Sequence, residues 1–83
     1  MSLNDEIRRA TGGGTIPDGL RSFYLANGAT DGTLNDLERQ FLIAQVGAVP
    51  ARTNSDLWMA YLGGLGHTGT LNDRLLQFWA AQP

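Results

Sequence analysis

Apolar residues along this chain recur at helical spacing. Leu34, Leu37 and Phe41 fall at offsets 0, 3 and 7, Leu71, Leu75 and Phe78 at 0, 4 and 7, and Ile16, Leu20 and Phe23 repeat the second pattern. Each set is one stripe at a 3.6-residue period. Strand signals are weak, with few β-branched runs and no alternating segment of useful length. The pattern predicts helices over about 3–10, 16–27, 34–46, 54–62 and 71–81. Glycine supplies the expected stops at Gly12-Gly13-Gly14, at Asn27-Gly28, at Gly47 and at Gly63-Gly64, because it tolerates the left-handed conformation that closes a helix. Pro50 is expected to keep the third helix from running on, and Pro17 sits in a first turn, where its missing N–H costs little. Gly19 lies inside a helix at a cost of roughly 1 kcal/mol against Ala. Close packing of another helix there, or drift, would account for it.

The polar positions say where these helices begin. Five of the six aspartates follow a hydroxyl residue by three: Ser2/Asp5, Thr15/Asp18, Thr33/Asp36, Thr53/Asp56 and Thr70/Asp73. This is the form of a capping box with Asp in the usual Glu/Gln place. Ser2, Thr15, Thr33, Thr53 and Thr70 are the expected N-caps, accepting from a free N–H in the first turn. Asp5, Asp18, Asp36, Asp56 and Asp73 are the capping carboxylates, whose charge suits the positive end of the helix dipole. The four-residue words Thr33-Leu34-Asn35-Asp36 and Thr70-Leu71-Asn72-Asp73 are the same, and Ser2-Leu3-Asn4-Asp5 differs only in its hydroxyl residue.

Aligned on the cap, the units start at 2, 15, 33, 53 and 70. The eighth residue after the cap is Phe23, Phe41, Tyr61 and Phe78 in the last four units, and the ninth is Tyr24, Leu42, Leu62 and Trp79. The first unit, with Ala10 and Thr11 there, is a degenerate copy. The expected fold is all-α: about five short helices from a degenerate capped-helix repeat, one compact domain over residues 1–83. Its expected core is Leu20, Phe23, Leu34, Leu37, Phe41, Leu57, Tyr61, Leu71, Leu75 and Phe78. Helices this short must gain stability from packing.

Composition narrows the function classes. An apolar fraction of 42% is enough for a small core, and the chain has no cysteine, which excludes disulfides, thiolate metal sites and a cysteine nucleophile. No cofactor or metal is expected, since the one histidine, His67, makes a poor basis for a zinc site. The net charge is −2, and the six basic residues are all arginine: Arg8, Arg9, Arg21, Arg39, Arg52 and Arg74. They are scattered, whereas a nucleic-acid binder shows a basic patch and a membrane-surface protein clustered positive charge. No apolar run approaches the length of a membrane span, and no signal peptide fits before the capping word at Ser2. Neither nucleic acid nor membrane is therefore an expected partner.

Three constellations resemble sites. Asp31-Gly32-Thr33-Leu34-Asn35-Asp36 starts like a calcium loop but has Asp36 where glycine belongs and Leu42 where the bidentate glutamate belongs, so a turn and cap explain it better. Gly12-Gly13-Gly14-Thr15 lacks the lysine and the strand of a phosphate cradle. His67 has no accompanying nucleophile and reads as a turn residue. The aspartates share the cap as their explanation, so no enzyme is expected. Trp58, Trp79 and Tyr24 either fill the core or meet a partner. Tyr24 and Trp79 stand beside the core aromatic, on the flank of the stripe, and Trp79 lies near a chain end that would otherwise fray. All three are candidate interface residues.

The words from Thr33-Leu34-Asn35-Asp36 through Phe41-Leu42, and from Gly69-Thr70-Leu71-Asn72-Asp73 through Phe78-Trp79, resemble short repeats in small tailed-bacteriophage virion structural proteins, both decoration or capsid-associated and tail-associated. The resemblance spans roughly residues 14–82, and the Ile16-Pro17 and Asn54-Ser55 units depart from its consensus word. It implies no catalytic residues. It implies a helical module, most simply a capsid decoration (cement) protein, made in the host cytoplasm and carried on the virion. Its partners would be the major capsid protein or another virion protein, and it would self-associate or occupy the particle in many copies. The alternative class is a small intracellular adaptor or helix-turn-helix-like regulator, because short helices joined by glycine turns also permit that fold.

Overall fold

The computed structural model describes residues 2–47 and 53–83. Pro50, and with it the expected stop after the third helix, lies outside the described residues, as does Arg52. The five helices are α1 (Leu3–Thr11), α2 (Ile16–Ala26), α3 (Leu34–Val46), α4 (Asn54–Gly64) and α5 (Leu71–Ala80). The all-α single-domain reading holds, with bounds within two residues of those expected from sequence.

Each helix packs against its neighbours in the chain, and α5 packs back against α1, so the five close into a ring. The ring is flattened, 33 × 30 × 18 Å. Its centre is too wide for opposite backbones to touch, and aromatic side chains fill it. Phe23 of α2 lies 4.7 Å from Trp79 and 6.1 Å from Phe78 of α5, ring centre to ring centre. Phe41 of α3 meets Tyr24, Trp58 and Tyr61 at 5.3–5.9 Å. Phe78 closes the network onto Trp58 and Tyr61. Most of these pairs are edge-to-face, a geometry worth about 0.5–1.5 kcal/mol beyond the area buried.

This arrangement corrects the interface assignment. Tyr24, Trp58 and Trp79 are 2%, 4% and 1% exposed, buried in the chain's own core. The ninth residue after the cap is not a flank: Tyr24, Leu42, Leu62 and Trp79 are more deeply buried than Phe23 and Tyr61 of the eighth. Successive helical residues point about 100° apart. Both are covered because a helix in a ring has a neighbour on each side, which widens its buried arc beyond a single stripe. The segment after Trp79 is tied to α1 of the same chain through Arg9, although Ala80, Ala81 and Pro83 themselves stay exposed. Of the expected core, Leu37, Phe41, Leu57 and Phe78 are buried, while Leu20, Phe23, Leu34, Tyr61, Leu71 and Leu75 are partly buried against it.

Two glycine assignments change or gain a cause. Gly63 and Gly64 do not stop α4 but complete it, and the chain turns left-handed at Gly66 (φ 92°), where the His67 N–H donates to the Leu62 carbonyl at 3.1 Å. Gly63 leaves room for the Arg74 guanidinium, whose Nη1 would lie 3.0 Å from an added Cβ. Gly19 is where α1 and α2 cross: a Cβ there would overlap the Thr11 side chain, itself fixed by donation from its hydroxyl to the Ile7 carbonyl at 2.7 Å. Close packing is thus the reason for this glycine.

Candidate functional site

Every helix begins with its hydroxyl residue in extended conformation and that hydroxyl accepting from the N–H three residues on. The distances are 3.1 Å for Ser2 and Asp5, 3.2 Å for Thr15 and Asp18, and 3.2 Å for Thr33 and Asp36. They are 3.1 Å for Thr53 and Asp56 and 3.2 Å for Thr70 and Asp73. At Thr33, Thr53 and Thr70 the box is reciprocal, the Asp36, Asp56 and Asp73 carboxylates accepting from the cap N–H at 3.1, 3.4 and 3.0 Å. In α1 and α2 the hydroxyl half is made, and Asp5 lies 4.0 Å from Arg8. The glycine before the cap belongs to the same device. Gly32 and Gly69 have φ of 120° and 101°, and a Cβ on either would come within 2.8 Å of the following Asp36 or Asp73 carboxylate. The word is therefore Gly-Thr-x-x-Asp, with the glycine admitting the carboxylate that folds back over it.

A second set of polar contacts escaped the sequence reading. The seventh residue after the cap is Gln40 in α3, Gln77 in α5 and Arg9 in α1. Gln40 accepts from the Thr30 N–H at 2.7 Å and donates to the Asp31 carbonyl at 2.7 Å, pinning the loop before α3. Gln77 pins the loop before α5 in the same way through the Thr68 N–H and carbonyl, at 3.4 and 2.9 Å. Arg9 holds a helix end rather than a loop. It reaches to the element that precedes α1 around the ring, donating to the carbonyls of Trp79, Ala80 and Gln82 at 2.9, 3.3 and 3.0 Å. The Trp79 and Ala80 carbonyls belong to the negative end of α5, where a cation is favoured, and Gln82 lies just beyond it. Glu6, only 5% exposed, holds the Arg9 guanidinium from behind at 2.9 Å. The recurrence of glutamine immediately before the core aromatic, Gln40 before Phe41 and Gln77 before Phe78, was the available signal.

The third feature is Glu38 on α3. Its carboxylate accepts from Asn54 Nδ2 at 2.8 Å and Trp58 Nε1 at 3.0 Å, both on α4, and from the Tyr24 hydroxyl of α2 at 3.5 Å. One side chain thus ties three helices together and satisfies the polar ends of two core aromatics. Burial pushes the Tyr24 phenol well above its usual pKa, and the Glu38 charge and hydrogen bond raise it further. Beside this hub an open cleft of about 330 Å³ lies between α2 and α3, lined by Leu20, Tyr24, Leu34, Asn35 and Glu38.

The chemistry of these groups is that of fasteners. Among the described residues no group of three or more His, Asp or Glu side chains is placed to hold a metal, and every buried side-chain nitrogen or oxygen has a partner. No helix among them is long and apolar enough to cross a membrane. His67 sits in the turn after α4, half-buried, and the Gly12-Gly13-Gly14 segment is the left-handed close of α1, where the Gly13 N–H donates to the Arg8 carbonyl at 2.8 Å. No family profile, curated protein or solved structure matches the chain.

Proposed function

We propose that this chain is a structural module of a phage virion, a capsid decoration (cement) or other capsid-associated protein acting by protein–protein binding in many copies. The observation that carries the reading is the repeated Gly-Thr-Leu-Asn-Asp word and its use. Polar groups that elsewhere perform chemistry here fasten the protein's own backbone: hydroxyls at five helix starts, carboxylates at three of them, and Gln40, Gln77 and Arg9 at two loops and a helix end. A small body braced in this way keeps its outer surface in fixed geometry, which lowers the ordering cost of docking onto a larger assembly. The low net charge suits a protein-facing surface. Because Tyr24, Trp58 and Trp79 are internal, the contact with the particle falls to other residues.

Mass spectrometry of purified virions from the phage encoding the chain tests this reading. The expected result is the chain present in the particle at a copy number comparable with the capsid subunits. Its absence from particles, combined with a duplex-DNA gel shift that weakens steeply as salt rises, would favour the regulator instead.

A further inference from the structure

The fifth residue after the cap is Ile7 in α1, Leu20 in α2, Trp58 in α4 and Leu75 in α5. All four are buried or packed against the core. In α3 the same register holds Glu38. A carboxylate at a position the other helices give to the core breaks a local rule, and such breaks mark functional sites more often than ordinary ones.

The other glutamate of the chain shows what a structurally complete carboxylate looks like here. Glu6 has its cation in place, the Arg9 guanidinium at 2.9 Å. Glu38 has only neutral donors, the Asn54 amide, the Trp58 indole and the Tyr24 hydroxyl. Among the described residues it takes part in no ion pair. Arg39, its neighbour in sequence, donates to Asn54 Oδ1 at 3.3 Å, so the Asn54 amide stands between that guanidinium and Glu38. Glu38 Oε2 accepts from the indole and the phenol, whereas Oε1 accepts from Asn54 alone. A carboxylate oxygen has two acceptor positions, and Oε1 therefore keeps one, beside the cleft that Glu38 lines.

The cleft fits one class of occupant. Leu20 and Leu34 supply apolar wall, Asn35 a polar rim and Glu38 a negative charge at one end. A phosphate or carboxylate would be repelled, a lone carboxylate is too few ligands for a metal, and a purely apolar group would leave Oε1 unanswered. An apolar stem with a cationic head matches each part. Arginine matches better than lysine, since its guanidinium is less strongly hydrated and presents a planar fork of donors to a carboxylate.

We propose that the cleft between α2 and α3 is a socket for one arginine side chain of a partner protein, its stem along Leu20 and Leu34 and its guanidinium on Glu38. The proposal rests on the binding-module reading and specifies the chemistry of the partner's surface.

Titration of the free protein with N-acetyl-arginine amide at low salt tests it, read by the NMR signal of the Trp58 indole N–H, which shares Glu38 Oε2. The expected result is a saturable shift at millimolar probe. Glu38→Gln should weaken binding about tenfold, and N-acetyl-norleucine amide, which has the stem without the charge, should bind no better than the arginine probe does to that variant. Leu34→Ser, which trims the wall and leaves the hydrogen-bonded hub intact, should weaken binding several-fold and gives a second reading should Glu38→Gln fold poorly. No shift, or an equal shift in wild type and both variants, overturns the socket. Self-association that Glu38→Gln abolishes would put a second copy of this chain in the cleft and overturn the partner assignment. The titration needs no particle, so the two readings fail separately: absence from virions with Glu38-dependent binding sinks the virion role alone, and presence in virions without such binding sinks the socket alone.

Discussion

Glu6 and Glu38 are the chain's two glutamates, and each organises one side of the ring around a tryptophan. At the α1–α5 junction, Glu6 is nearly fully buried and orients Arg9, which grips the Trp79, Ala80 and Gln82 carbonyls at and just past the end of α5. On the opposite side, Glu38 is half-buried, accepts the Trp58 indole, and keeps an open face to a cleft. The first is a closed ion pair locked onto a helix end. The second is an ion without a counter-ion among the described residues. The difference separates holding a ring shut from presenting a charge.

The largest effect should come from the aromatic centre that both sides share. Trp79→Ala should cost about 3–5 kcal/mol, the usual range for removing a buried large aromatic. Urea unfolding measures it. A loss below about 1 kcal/mol would mean that Trp79 is not part of the core and would return it to an interface role.

The next contrast is between the two glutamate sites. Arg9→Met keeps the stem but strands Glu6 and frees three carbonyls, and it should cost on the order of 2 kcal/mol, discounted from a fully buried pair because the arginine is half-exposed. Glu38→Gln leaves an acceptor for the indole and should cost about 1 kcal/mol or less. The reverse order in denaturant titrations would assign ring closure to the Glu38 side.

Thr33→Ala and Thr70→Ala, at the two identical words, should each cost about 1 kcal/mol, with valine worse than serine. Equal stability of the Ala, Ser and Val variants would show that these hydroxyls do not cap.

The smallest effect is electrostatic. With its pKa raised, Tyr24 stays neutral in the folded state above the ordinary tyrosine value of about 10. Its contribution to stability is therefore intact below that pH and is lost as the pH rises beyond it, once the unfolded chain ionises there. Absorbance titration should show the Tyr24 phenol silent through that range. In Glu38→Gln its ionisation should begin at lower pH, while staying above the ordinary value because burial is the larger cause. An unchanged onset in the variant would mean that Glu38 does not act on Tyr24.

What could be read from the sequence follows the range of each interaction. The caps and the helix bounds rest on contacts three residues apart, so the hydroxyl and aspartate spacing located all five starts. Gly19 was legible as an oddity inside a helix, with close packing and drift both open, since nothing in the chain named Thr11 as the group it admits. Tyr24 and Trp79 were placed on a flank because a single stripe was assumed. Tyr24 is buried where α2 meets Phe41 and Glu38 of α3, and Trp79 where α5 meets α1, a contact between residues some seventy positions apart, neither of which a local pattern encodes. Arg9 looked like one of six scattered arginines until the ring gave it α5 to hold. Glu38 was legible in principle: the fifth position after the cap is apolar in the other four units. The cleft beside it depends on how α2 and α3 pack, which the repeat alone does not specify.

Native-state hydrogen exchange of α1 and α5 tests the closed ring most directly. In the intact protein the interior amides of α1, including Ile7, should open with nearly the same free energy as those of α3, because a ring gives its first helix two neighbours. Arg9→Met should lower the protection of α1 and the end of α5 while leaving α3 close to its global limit. Rapid exchange throughout α1 in the wild-type protein, with Arg9→Met making no difference, would contradict the closed ring.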